Sequence, residues 1–144
     1  MRDLYNNLGF AIAIPAAEYD ADSTPASIDL LGFDSAVIEL SIGEGGITFS
    51  GTNKIEFKLT HSDSATEGFT AVTAADVLGV ATVGTGGIVK ALTAAHATPS
   101  VTKIGYIGNK RYLRLLADFS GTHGTATGIA ATVIKGHARN RPVA

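Results

Sequence analysis

The stretch RYLRLLADFSG, residues 111–121, decides the fold. Leu113, Leu115, Ala117 and Phe119 fall on one side of an extended chain. Tyr112, Arg114, Leu116 and Asp118 fall on the other. Side chains of a strand alternate between faces, so this spacing predicts a half-buried strand. Three basic residues, Lys110, Arg111 and Arg114, sit in or beside it. Whether they do chemistry, hold a nucleic acid or hold a protein is the question the rest of the chain narrows.

The same period of two recurs on both sides. In SAVIELSIG (35–43), Ile38, Leu40 and Ile42 share a face, opposite Val37, Glu39 and Ser41. In NKIEFKLTHS (53–62), Ile55, Phe57 and Leu59 alternate with Glu56, Lys58 and Thr60. TGIAATVIKG (127–136) is apolar on both faces, as a central strand would be. Ile12 and Ile14, just before Pro15, predict a short early strand, and GIVKALTA (87–94) and TKIGYIG (102–108) are further candidates. Glycines at 43, 45 and 46, at 84, 86 and 87, at 108, and at 121 and 124 fall between these runs. Glycine tolerates the positive φ that tight connections need. Many short strands with such turns predict an all-β fold, an antiparallel sandwich or barrel. One helical turn is expected near 73–78, in TAADVLG, with Thr73 as cap, Asp76 at the positive end and Gly79 as stop.

With 144 residues the chain is expected to form a single domain over 1–144, with an N-terminal arm (1–10) and a C-terminal tail (137–144). It has no cysteine, which excludes disulfides, thiolate zinc sites and a cysteine nucleophile. No apolar run approaches the ~20 residues of a membrane span. Asp3 and the shortness of the first apolar patch argue against a signal peptide, so a soluble protein is expected.

The net charge of −2 hides an asymmetry. Up to Leu78 there are 12 acids and 3 bases; from Gly79 onward there are 8 bases and 1 acid. Two readings follow. Oppositely charged ends suit association with copies of the same chain or with a partner of mixed charge. Alternatively, strand pairing mixes the two halves and the surface is patchy but neutral.

Motifs for chemistry are sparse. VGTGGIVKALTAAH has neither the dinucleotide nor the P-loop glycine spacing. His61, Asp63 and Glu67 in HSDSATE are the kinds of residue that bind metal, but the stretch reads as a solvated turn after a strand. There is no G-x-S-x-G elbow, and His123 and His137 sit beside glycines at strand ends. No catalytic, cofactor-binding or metal-ligating residue is therefore assigned, and an enzyme is not expected. Lys110, Arg111 and Arg114 beside Tyr106 and Tyr112, with Lys135, Arg139 and Arg141 in the tail, are basic residues interleaved with aromatics. A pI near 6.0 lacks the overall positive charge of a nucleic-acid binder.

Four segments carry a resemblance. They are LLGFDSAVIELSIGEGG (30–46), IEFKLTHSDSATEGFTAVTAADVLG (55–79), GYIGNKRYLRLLADFSGT (105–122) and ATVIKGHARNRPV (131–143). Together they resemble small virion structural proteins of tailed bacteriophages, of the head decoration or cement type. The resemblance implies a jelly-roll-like β-sandwich with no catalytic residues. It implies a protein made in the host cytoplasm that binds the outer surface of the expanded capsid. There it would stabilise the head against the pressure of packaged DNA. The implied partners are the major capsid protein and copies of the same chain, with a trimer favoured; no nucleic acid, membrane or small-molecule substrate is implied. On this reading Arg2, Leu4, Tyr5, Leu8, Lys110, Arg111, Arg114, Arg139 and Arg141 are interface candidates. A head–tail junction or tail structural role, or a sugar-binding β-sandwich module, are the alternatives.

Overall fold

The computed structural model describes residues 3–143. In chain order its strands are β1 (Gly9–Tyr19), β2 (Ile28–Asp29), β3 (Phe33–Ile42), β4 (Lys54–Ser62), β5 (Thr70–Ala71), β6 (Val77–Leu78), β7 (Ile88–Leu92), β8 (Ser100–Tyr106), β9 (Tyr112–Ser120) and β10 (Thr127–Ala138). They form two antiparallel sheets packed face to face. One has the order β1-β10-β3-β8-β6; the other has β2-β9-β4, with β5 and β7 sharing the far edge of β4. Leaving aside the two-residue strands β5 and β6, β1-β10-β3-β8 faces β2-β9-β4-β7. The chain crosses between sheets at almost every step, and its first strand pairs with its last. This is the wiring of an eight-stranded jelly roll.

The core lies between the sheets, where the alternating patterns put it. Ile55, Phe57 and Leu59 of β4 are fully buried, and so, almost completely, are Leu113, Leu115 and Ala117 of β9. The register sets Phe57 opposite Ala117 and Leu59 opposite Leu115. Ile38, Leu40 and Ile42 of β3, with Ile129, Ala131 and Val133 of β10, close the other side. β10 is central, held by β1 on one side and β3 on the other.

Two local expectations change. The early strand is longer than Ile12 and Ile14 suggested, and those two residues do not share a face. The register shifts between Ile12 and Ile14 and again between Ile14 and Ala17. The first shift turns Ile14 inward at 1% exposure and leaves Ile12 outward at 63%. Pro15 is tolerated because β1 pairs only with β10, so its missing N–H falls on an irregular edge strand. The turn near 73–78 forms without becoming a helix. Asp76 N–H donates to the Thr73 carbonyl, and the Asp76 carboxylate accepts from both the N–H and the hydroxyl of Thr73. Val77 and Leu78 then extend as β6 against Tyr106 and Gly105 of β8, which gives their backbone partners no helix could match. The helical element that does occur is a 3-10 turn at Tyr5–Asn7.

One glycine ties the loops of the far end together. Gly46 donates its N–H to Thr127 Oγ1 at 3.0 Å. A Cβ on Gly46 would lie 2.1 Å from the Ala126 carbonyl oxygen. Gly51, by contrast, faces open space.

Two substitutions test this packing. Phe57→Ala is expected to cost about 3–5 kcal/mol in urea unfolding, since it empties a sealed site. Gly46→Ala is expected to cost about 2 kcal/mol or more because backbone must move, whereas Gly51→Ala stays within about 0.5 kcal/mol of the parent.

Candidate interface at one end of the sandwich

Antiparallel pairing brings distant parts of the sequence to the same end. The β2–β3 connection (30–32), the β8–β9 connection (107–111), Asp63 just after β4 and Arg139 just after β10 meet there. They line a groove of about 500 Å³. Leu30 and Phe33 form apolar wall, and Leu31 and Ile107 stand in it at 62% and 55% exposure.

The rim is charged and paired. Arg111 reaches Asp29 with two parallel bonds, Nε to Oδ1 at 2.9 Å and Nη2 to Oδ2 at 2.7 Å. This fork-on-carboxylate geometry fixes direction as well as charge. Asp29 Oδ1 also accepts the Leu31 N–H at 2.8 Å, so the ion pair holds the loop that carries Leu31. The Arg111 hydrogen bonds hold the Asp29 carboxyl below the usual carboxylate range, against a smaller opposing push from burial. The same contact raises Arg111. Arg139 bonds Asp34 through Nε at 2.8 Å, which raises it in turn. Lys110 pairs with Asp63. Lys135 lies 4.8 Å above the Phe33 ring and donates to the Asp29 carbonyl.

Tyr106 anchors the connection from beneath. Its hydroxyl accepts the Lys110 N–H at 3.0 Å and meets His61 Nδ1 at 2.9 Å, with the two rings edge to face. Burial pushes the phenol pKa up. His61, expected in a solvated turn, is instead buried in β4 as a packed partner of Tyr106. Asp63, in the turn that follows, pairs with Lys110. Among the described residues, no three His, Asp or Glu side chains gather as a metal site.

The candidate residues divide. Lys110, Arg111 and Arg139 come together at the groove. Arg114 does not: it lies on the outer face of the second sheet, stacked 3.8 Å over Phe69, and donates to the Ala65 carbonyl. There it pins the 63–69 loop. Leu4 and Tyr5 are exposed on the N-terminal segment, while Leu8 is half-buried against Gly136. Gly9 and Phe10, expected in the arm, belong to β1, and His137 and Ala138, expected in the tail, end β10. Arg141 is exposed in a tail held by the Val143 N–H on the Asn6 carbonyl. Arg2 lies outside the described residues.

The two halves of the charge asymmetry meet in part inside the molecule. Among the described residues, four of the five ion pairs join a residue before Gly79 to one after it: Lys58–Asp118, Lys110–Asp63, Arg111–Asp29 and Arg139–Asp34. Asp34 and Asp63, absent from the sequence-based set, line the groove as the bases do, and Asp29, just outside it, holds Arg111. The excess of acids in the first half was the signal for them. Leu31 and Ile107 were also missed; each is an apolar residue next to a glycine. The sequence matches no protein-family model and no curated protein.

Two measurements test the architecture of this end. Tyr106→Phe is expected to lose about 1–2 kcal/mol, since the Lys110 N–H and His61 lose their shared partner. Asp29 has a folded pKa below its unfolded value, so its contribution is present above the unfolded value and disappears as pH falls through the folded one. Asp29→Asn should therefore narrow the gap in Tm between about pH 7 and about pH 3.

Proposed function

We propose that this chain is a capsid decoration protein of a tailed phage. It binds the outside of the expanded head as a homo-oligomer and clamps neighbouring subunits of the major capsid protein against internal DNA pressure. After synthesis in the host cytoplasm it resides on the outer surface of the virion. The observation that carries this reading is the groove. An apolar floor with exposed Leu31 and Ile107 is framed by charges already fixed in ion pairs. Protein–protein contacts favour this arrangement, an apolar centre inside a polar rim, because a pre-ordered rim loses little entropy on docking. The resemblance of four segments to phage decoration proteins adds to it, and the jelly roll is a fold that viral shell domains share with lectins and cupins. Fold alone does not assign a role.

The same geometry disfavours nucleic-acid and sugar binding. Lys110, Arg111 and Arg139 each already hold a carboxylate, which weakens a phosphate-binding face. A sugar site would want an exposed aromatic platform, and the groove's tyrosine is buried.

Sedimentation with emptied capsids of the same virus tests the proposal. Saturable binding to expanded shells and none to unexpanded shells is the expected result, with Ile107→Asp binding about tenfold more weakly, a loss of about 1.4 kcal/mol. Absence of binding to both shells, with the protein still present in purified virions, would reassign it to the head–tail junction or tail.

A further inference from the structure

The two outer faces of the sandwich differ in kind. On the β2-β9-β4 sheet the outward residues of β4 and β9 include two ion pairs. Lys58 bonds Asp118 and Lys54 bonds Glu56, and the Asp118 contact raises Lys58. Such a face is at home in water. The outer face of the β1-β10-β3-β8-β6 sheet carries the reverse. Cross-strand register lines up Phe10, Ile134, Val37, Gly105 and Leu78 in one row that crosses all five strands. Its two ends, Phe10 and Leu78, are 65% and 56% exposed. The next row holds Ile12, Thr132, Glu39 and Lys103, and Val101 lies beyond. Four of the eight large exposed apolar residues among those described are on this one face: Phe10, Ile12, Leu78 and Val101.

We infer that this face binds the same face of a second copy of the chain, about a two-fold axis running along the strands between β3 and β8. Charge selects the occupant. Within the two rows the face has one acid, Glu39, and one base, Lys103, directly opposite on neighbouring strands, and neither belongs to an ion pair among the described residues. A rotation about that axis exchanges β3 with β8, so Glu39 of one copy meets Lys103 of the second, twice. The same rotation brings Val37 to Gly105 of the second copy, where that copy's own Leu78 already packs on the glycine, and sets Ile134 over the same Leu78. A contact of a patch with itself must be self-complementary in this way.

The strands that overlap about this axis are β10, β3, β8 and β6, since β1 has no counterpart across it. Four strands of at most about ten residues cover no more than roughly 30 by 19 Å, or about 600 Å². One side of a standard protein interface is about 800 Å². Joining edge to edge is the other route by which sheets associate, and it is blunted here. β1 carries Pro15 and two register shifts, and β6 has only two residues. The pairing does not depend on the capsid reading, but it gives that reading a form. An axis along the strands leaves the grooves of both copies facing the same way, so one dimer presents two grooves to one surface. The soluble unit is then a dimer, in place of the trimer the resemblance favours.

Analytical ultracentrifugation of the full chain tests this, with circular dichroism of each variant to confirm the fold. The parent is expected to sediment as a dimer of the 14.7 kDa chain. Leu78→Lys, at an exposed position, should raise the dimer dissociation constant by at least about tenfold. Glu39→Lys should do the same through facing lysines, and Glu39→Lys with Lys103→Glu should restore the dimer. A monomer at all concentrations, a trimer, or a dimer indifferent to Leu78→Lys and Glu39→Lys with their fold intact would each overturn the inference. Because shell binding is read separately, a failed dimer and a failed capsid assignment are told apart.

Discussion

The register of β9 on β4 is the constraint on which the rest of the molecule depends. Side chains on a strand alternate, so a slip of one residue would exchange the two faces completely. Arg114 and Asp118 would enter the core, and Leu113, Leu115 and Ala117 would face water. The observed register also matches size to size, since Phe57 lies over Ala117. With it fixed, Lys58 meets Asp118, Arg114 reaches the 63–69 loop, and Tyr112 carries β2 at its edge. Asp29, which holds Arg111 at the groove, is positioned by that last pairing.

The groove follows from the same logic at longer range. Its ion pairs span 82, 105 and 47 residues of sequence, so each joins segments that only the jelly-roll wiring makes neighbours. Individually such half-exposed pairs contribute little to stability. Their effect is geometric. Asp29 holds the Leu31 backbone, Tyr106 holds the Lys110 backbone, and the two exposed apolar residues of the groove, Leu31 and Ile107, stand on loops fixed by these contacts.

Strands buried on one face were the most legible in the sequence. β3, β4 and β9 each alternate without interruption, and each lies where its pattern places it. β10 was legible as central because it is apolar on both faces. Its outward residues Ala130, Thr132 and Ile134, however, are only half-buried, and an apolar pattern cannot distinguish a covered face from one left partly open. β1 was partly hidden, because its register shifts break the period at the residues that seemed to define it. The turn at Thr73 has the local bonds of a helix start, yet β6 pairs with β8, and tertiary pairing overrode local propensity. At the groove, the basic residues could be named from sequence but their partners could not, since no local rule connects Arg139 to Asp34. Arg114 looked equivalent to Arg111, yet the two point to opposite sides of the strand boundary, one to a loop and one to the groove.

The pairing of β1 with β10 has a kinetic meaning. As the chain leaves the ribosome, β1 can find its ladder partner only when β10 has emerged. Until then β3 is also without its β10 neighbour, and the sheet that contains both cannot be assembled. Chains built from such distant pairings fold slowly, because loop closure must precede any stabilising contact. The other sheet has a shorter route, since β4 and its β7 edge are close in sequence. A nascent chain would therefore be expected to hold β4 and β7 together first, with the apolar residues of β1 and β3 unshielded until β10 emerges.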